Sequence, residues 1–367
     1  LLRKPLSPAS GAESVSEPTP DAARWEQLRR ELESIPQRPV TLAHPRTWMF
    51  RAKRMADFVG HIRYGTSQAL ARINPYPKPF RHVTFRTEDG VQIAGWLGPQ
   101  HRAPTAWGLV LVPGMFATKD DTAHKRRAIL IHRHWRIPVL AIDLRAFGES
   151  TGVGTAGWKE AYDITGAAKF LAEQTGVTRV AVLAESLGGA AALNALAHDA
   201  ETRTNLLTGG TLCYSAFVDA KDAVAYISAK PPKGHPFASS FAGFRRLLLA
   251  KSMGAYDRFD ELLDDVAKVN GLAGLDEMFD LANPKWKVPL ISQPTLLVHA
   301  TNDPVVPVRH AHRMERYADG KPNIQVLIVG WGEHTQFEPL DPNWYWEVTR
   351  RFFGNVNGVE LENLAGK

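Results

Sequence analysis

Residues Arg179–Ala197 read RVAVLAESLGGAAALNALA, and this stretch decides the fold. RVAVLAE is an apolar run without period-two alternation, which suits a strand buried on both faces of a parallel sheet. Ser186 follows with no break. The Ala-rich segment after it reads as the start of a helix, with Gly188 and Gly189 placed where the helix must lie close against the sheet. The unit is therefore a strand, a sharp turn at a serine, and a helix.

Working outward, five more continuous apolar runs alternate with helical stretches: GLVLVPG (108–114), IPVLAIDLR (137–145), GGTLCYSAF (209–217), PTLLVHA (294–300) and IQVLIVG (324–330). Ahead of them, RHVTFRTE (81–88) and VQIAGWLG (91–98) alternate in the half-buried manner and are split by Asp89-Gly90, a hairpin signal. An antiparallel hairpin leading into βα units implies an α/β protein with a mixed, mostly parallel sheet of about eight strands flanked by helices. Residues 218–289 are too long for an ordinary connection and have helical patterning, so they read as an inserted helical cap. Residues 1–22, rich in Pro, Ser, Ala and Glu, read as a flexible arm. Residues 23–80 read as an N-terminal helical extension. Trp25, Leu28 and Leu32 have helical spacing there, and Met55, Phe58, Val59 and Ile62 share a second helical face. The sheet domain then occupies 81–217 and 290–367.

Composition narrows the function classes. The chain has 367 residues, 44% apolar and 22% charged, which is ordinary for a globular protein. It contains no uninterrupted apolar run of about 18 residues, so a spanning helix is not expected. The chain opens on Leu1 and not Met, which leaves room for a removed signal peptide. Cys213 stands alone, so neither an internal disulfide nor a cysteine-rich metal site can form. The net charge of +6 comes from scattered Arg and Lys with no nucleic-acid motif, and nucleic acid is not an expected partner. Arg51, Arg54 and Arg63 form a basic face that reads as solvated, with peripheral membrane or lipid contact as the sharper alternative.

The pattern small-x-Ser-x-Gly occurs three times: GESTG (148–152), AESLG (184–188) and AKSMG (250–254). Only Ser186 stands between a buried strand and a helix. Ser150 follows loop residues and precedes Gly-rich sequence, and Ser252 lies in the cap with no strand before it. In this the chain resembles the α/β-hydrolase superfamily, whose nucleophile occupies such a strand–turn–helix elbow in a strained backbone conformation. Ala184 replaces the more common glycine. The resemblance covers residues 81–217 and 290–355, and it implies that Asp143–Ser150 is a bracing turn after the fourth strand.

A neutral serine needs a base in contact and a third group to fix that base. The family order of Ser, acid, His implies Asp303, in PTLLVHATNDPVVP, and His334, in IQVLIVGWGEHTQF, each just beyond a late strand. Asp219 and Asp222, after the preceding strand, are the reserve acids, and Glu333 reads as a solvated loop carboxylate. The resemblance further implies oxyanion donors at the backbone N–H of Leu187 and of Met115. Met115 lies in Pro113-Gly114-Met115-Phe116, where Pro113 replaces the family's usual His. No dinucleotide fingerprint or metal cluster accompanies these residues, so neither cofactor nor metal is expected.

The implied reaction is hydrolysis of a small-molecule carboxylic ester through an acyl-serine. Thioester, amide and acyl-transfer chemistry use the same machinery. A non-catalytic binding protein on this fold would ordinarily lack one of the three residues. Phe237, Phe241 and Phe244 form an apolar helical stripe in the cap, which together with Phe116 is expected either to pack on the core or to line an acyl pocket.

Overall fold

The computed structural model describes residues 22–37, 76–115, 117–228 and 265–367. Eight strands form one sheet: β1 (Arg81–Arg86), β2 (Gln92–Gly98), β3 (Trp107–Val112), β4 (Val139–Ile142), β5 (Arg179–Glu185), β6 (Thr211–Tyr214), β7 (Thr295–Ala300) and β8 (Ile324–Val329). Their spatial order is β1-β2-β4-β3-β5-β6-β7-β8. The β1–β2 and β2–β4 pairs are antiparallel and every later pair is parallel, so the expected mixed sheet is present. Asp89-Gly90 makes the hairpin turn, with Gly90 at a φ of 82°.

The interior strands are buried along nearly their whole length because helices cover both faces. The helices are α1 (Ala22–Glu33), α2 (Thr122–Leu130), α3 (Glu160–Thr175), α4 (Leu187–Thr202), α5 (Ala220–Ser228), α6 (Leu275–Ala282), α7 (Arg309–Tyr317), α8 (Phe337–Leu340) and α9 (Pro342–Asn357). One core layer joins Val110, Val182, Ala184 and Leu297 to α3, α4, α6 and α7. The other joins Leu109, Leu111, Leu183 and Val298 to α1, α2 and α9. Alternate residues of one strand thus enter opposite cores, which explains why these strands show no polar face. Trp25, Leu28 and Leu32 of α1 are buried in the second layer, where the helix packs against α9 and β8.

The close helix–sheet approach expected at the two glycines is present. A Cβ on Gly188 would come within 2.4 Å of the Pro113 carbonyl oxygen, and one on Gly189 within 2.7 Å of the Ala216 Cβ. Only glycine lets α4 start this close to β3 and β6. Among the described residues, no helix is long and apolar enough to cross a membrane. The second N-terminal segment with its basic face, and much of the proposed cap, lie outside the described residues.

Candidate active site

β5 ends at Glu185, and the chain turns into α4 through Ser186, which adopts φ 52° and ψ −116°. That region is disfavoured for a residue with a Cβ and costs about 1–3 kcal/mol. It is held here by the strand on one side, whose register continues as Ser186 N–H donates to the Tyr214 carbonyl, and by the helix on the other.

His334 stands on the loop after β8. Its Nε2 is 2.9 Å from Ser186 Oγ, and its Nδ1 is 2.9 Å from Asp303 Oδ2 and 3.1 Å from Oδ1. Asp303 is buried on the loop after β7, where its Oδ1 also accepts from the N–H groups of Val305 and Val306 at 2.8 and 2.9 Å. Burial alone would push the Asp303 carboxyl up, but His334 foremost, helped by the Val306 N–H, outweighs it and holds the group below the ordinary carboxylate range. It is therefore an anion facing the imidazole. His299, buried in β7, donates from Nε2 to the Val306 carbonyl at 2.8 Å and so pins the loop that carries Asp303. Desolvation lowers the His299 pKa, which keeps it neutral in that role.

The reserve acids are committed elsewhere. Asp222 bonds Arg309 at 2.7 Å and Arg313 at 2.6 Å, and Arg309 foremost lowers its pKa to about 2. Asp219 lies 3.3 Å from Arg313. Glu333 was expected in solvent and is instead buried. The reason is the loop's tight course: Gln336 N–H donates to the Glu333 carbonyl, and Thr335 N–H donates to Ser215 Oγ, which draws residues 333–336 inward. Ser215 and Thr335 both take positive φ, 55° and 56°, so the histidine loop is fixed through two strained residues joined by one hydrogen bond. Sequence reasoning gave Ser215 no role.

The loop Pro113–Met115 lies against the elbow, since a Cβ on Gly114 would meet the Ser186 Cβ at 3.1 Å. Met115 is half-buried against the core, and Leu187 is the first residue of α4, whose opening N–H groups have no intrahelical acceptor. Met115 follows Gly114, which lies against Ser186, and Leu187 follows Ser186 directly in the chain. Phe116, Phe237, Phe241, Phe244 and Ser252 lie outside the described residues.

Beside this loop, three carboxylates converge. Oxygens of Asp120, Asp143 and Glu149 all lie within 4.8 Å of one another, a set with the donors for a cation. The Lys119 ammonium already fills that role, at 2.8 Å from Asp120, 2.8 Å from Asp143 and 2.6 Å from Glu149. Burial disfavours the ammonium, but Asp143 and Asp120 outweigh it and hold its pKa above the ordinary lysine range. The cluster ties the loop after Met115 to the turn after β4. The donor set thus fits an internal ion pair and not a resident metal.

Comparisons with known proteins agree with this architecture. Residues 109–345 match the model of an alpha/beta hydrolase family. Among solved structures, an esterase of Pyrococcus furiosus superposes with a TM-score of 0.54 at 18% identity, covering 79% of this chain and 94% of that one. The alpha/beta hydrolase GrgF of a Penicillium species gives a TM-score of 0.54 at 17% identity, over 76% of this chain and 99% of that one. A comparison with curated proteins found no match.

Proposed function

The chain belongs to the α/β-hydrolase family, and from that premise we propose that it is a serine hydrolase of carboxylic esters, with Ser186 as nucleophile, His334 as base and Asp303 as the orienting acid. The observation that carries this reading is the 2.9 Å contact between Ser186 Oγ and His334 Nε2, made at a serine whose own φ is 52°. Hydrogen-bond contact with a base is the first requirement for activating a hydroxyl, and the second bond to Asp303 supplies the orienting group.

In the proposed reaction, Ser186 Oγ adds to the ester carbonyl carbon while His334 Nε2 takes its proton. Asp303 stabilises the imidazolium across Nδ1. The charge on the carbonyl oxygen is met by the N–H groups of Leu187 and Met115, each worth on the order of a hundredfold or more in rate. Collapse of the adduct expels the alcohol, which takes the proton from His334, and water then repeats the sequence on the acyl-serine. On the acyl side we favour a lipophilic group, because the sequence after β6 carries Phe237, Phe241 and Phe244 at helical spacing. The test is turnover of p-nitrophenyl esters. Ser186→Ala should lower it by a factor on the order of a million while the melting curve is retained. Comparable turnover in the folded variant would remove Ser186 from the reaction.

A further inference from the structure

We propose that Arg127 is a positioning residue whose single guanidinium clamps the strand end carrying Ser186 to the helix just beyond His334. The proposal rests on the Ser186–His334 reading and adds to it the device that sets their separation. Arg127 belongs to α2, a helix whose sequence, TAHKRRAIL, looks solvent-facing, yet the side chain is buried. Its Nη1 lies 2.7 Å from Glu185 Oε1, and its Nε lies 2.6 Å from Glu338 Oε2. Glu185 immediately precedes Ser186, and Glu338 sits in α8, four residues beyond His334. One planar group thus grips both elements whose relative position fixes the Ser–His contact.

The surroundings make the clamp stiff. Arg126 reaches the other oxygen of Glu338 at 2.7 Å, and the Trp346 indole donates to that same oxygen at 3.1 Å. His124 Nε2 lies 3.8 Å from Glu185 Oε2, and the Arg127 guanidinium rests over the Tyr345 ring at 5.1 Å. Two arginines face two glutamates, so the cluster balances in charge. Burial disfavours the cation, but Glu185 heads the groups that outweigh it and keep Arg127 protonated. Moving either element would pull a buried carboxylate away from the buried Arg127 guanidinium, which is strongly unfavourable. The guanidinium suits this task because its nitrogens point to different acceptors in one rigid plane, where an ammonium is a point charge.

The experiment is saturation kinetics of inactivation by a fluorophosphonate, which reads attack by Ser186 Oγ, here on phosphorus with loss of fluoride, without requiring the natural substrate. It uses the full chain as wild type, Arg127→Met and Arg127→Lys, with melting curves recorded alongside. The maximal rate constant should fall about tenfold to a hundredfold in Arg127→Met, the scale expected when a reacting group is displaced by about 1 Å, with the half-saturation concentration unchanged. Arg127→Lys keeps the charge but cannot span both carboxylates, and it should fall about tenfold. It decides the matter if Arg127→Met does not fold. A folded variant that melts earlier yet reacts at the wild-type maximal rate overturns the clamp and leaves a structural ion pair. A wild type that resists the probe overturns the Ser186–His334 reading and the clamp with it.

Discussion

The segments GESTG (148–152) and AESLG (184–188) share one local pattern, yet the fold places their serines in opposite settings. In the first, Gly148 and Gly152 take the positive φ values, 54° and 88°, and the serine between them does not. Ser150 Oγ donates to the Asp143 carbonyl and accepts from the Ala94 N–H, both at 2.9 Å. Its hydrogen-bonding capacity goes to backbone, and it braces β2 against the turn after β4. In the second, the serine itself carries the positive φ, and its hydroxyl meets an imidazole instead of a carbonyl. The difference lies in the structure on the C-terminal side of each serine. A helix that begins at once, packed tightly through Gly188, forces the turn onto Ser186, whereas the glycines around Ser150 absorb the turn themselves. Between these two segments, positive φ at the serine itself singles out the proposed nucleophile, which the five-residue pattern does not.

The largest effect that sharpens this contrast concerns the acid. Asp303→Asn should lower ester turnover by roughly ten-thousandfold, because the amide can hold His334 in the wrong tautomer and cannot stabilise an imidazolium. Asp222→Asn should change it little, since Asp222 is paired with Arg309 and Arg313. Steady-state rates for the two variants check the assignment, and the opposite ranking would transfer the acid to Asp222 in the first turn of α5.

A smaller effect tests the bracing role. Ser150→Ala leaves the Ala94 N–H and the Asp143 carbonyl without their partner, which should cost about 1–3 kcal/mol. Denaturant melts should show that loss while ester turnover at 25 °C stays within a fewfold of wild type. A stable Ser150→Ala that loses turnover by orders of magnitude would break the contrast between the two segments.

The contrast also separates what sequence alone reveals from what it hides. The sheet is legible because a strand buried on both faces must be apolar throughout, and Val110, Leu111, Val182 and Leu183 declare that directly. The proposed roles of Asp303 and His334 come from the resemblance, whose order of Ser, acid and His points to the loops after two late strands. Arg127 is not legible. Its partners come from 58 and 211 residues away, and nothing in TAHKRRAIL announces that its charge is buried. One signal is present. Glu185 ends an otherwise apolar strand, and a carboxylate so placed needs a buried cation. Glu333 departs from expectation because loop carboxylates are usually solvated, and the inward pull of the Thr335–Ser215 bond is a tertiary feature.

If Ser186 is the nucleophile, as proposed, a fluorophosphonate should modify it and no other residue. Intact-mass analysis after treatment, combined with peptide mapping, should find one adduct per chain, carried by the peptide containing Ser186. An adduct on Ser150 or another residue, or a native chain that takes up none, would contradict it.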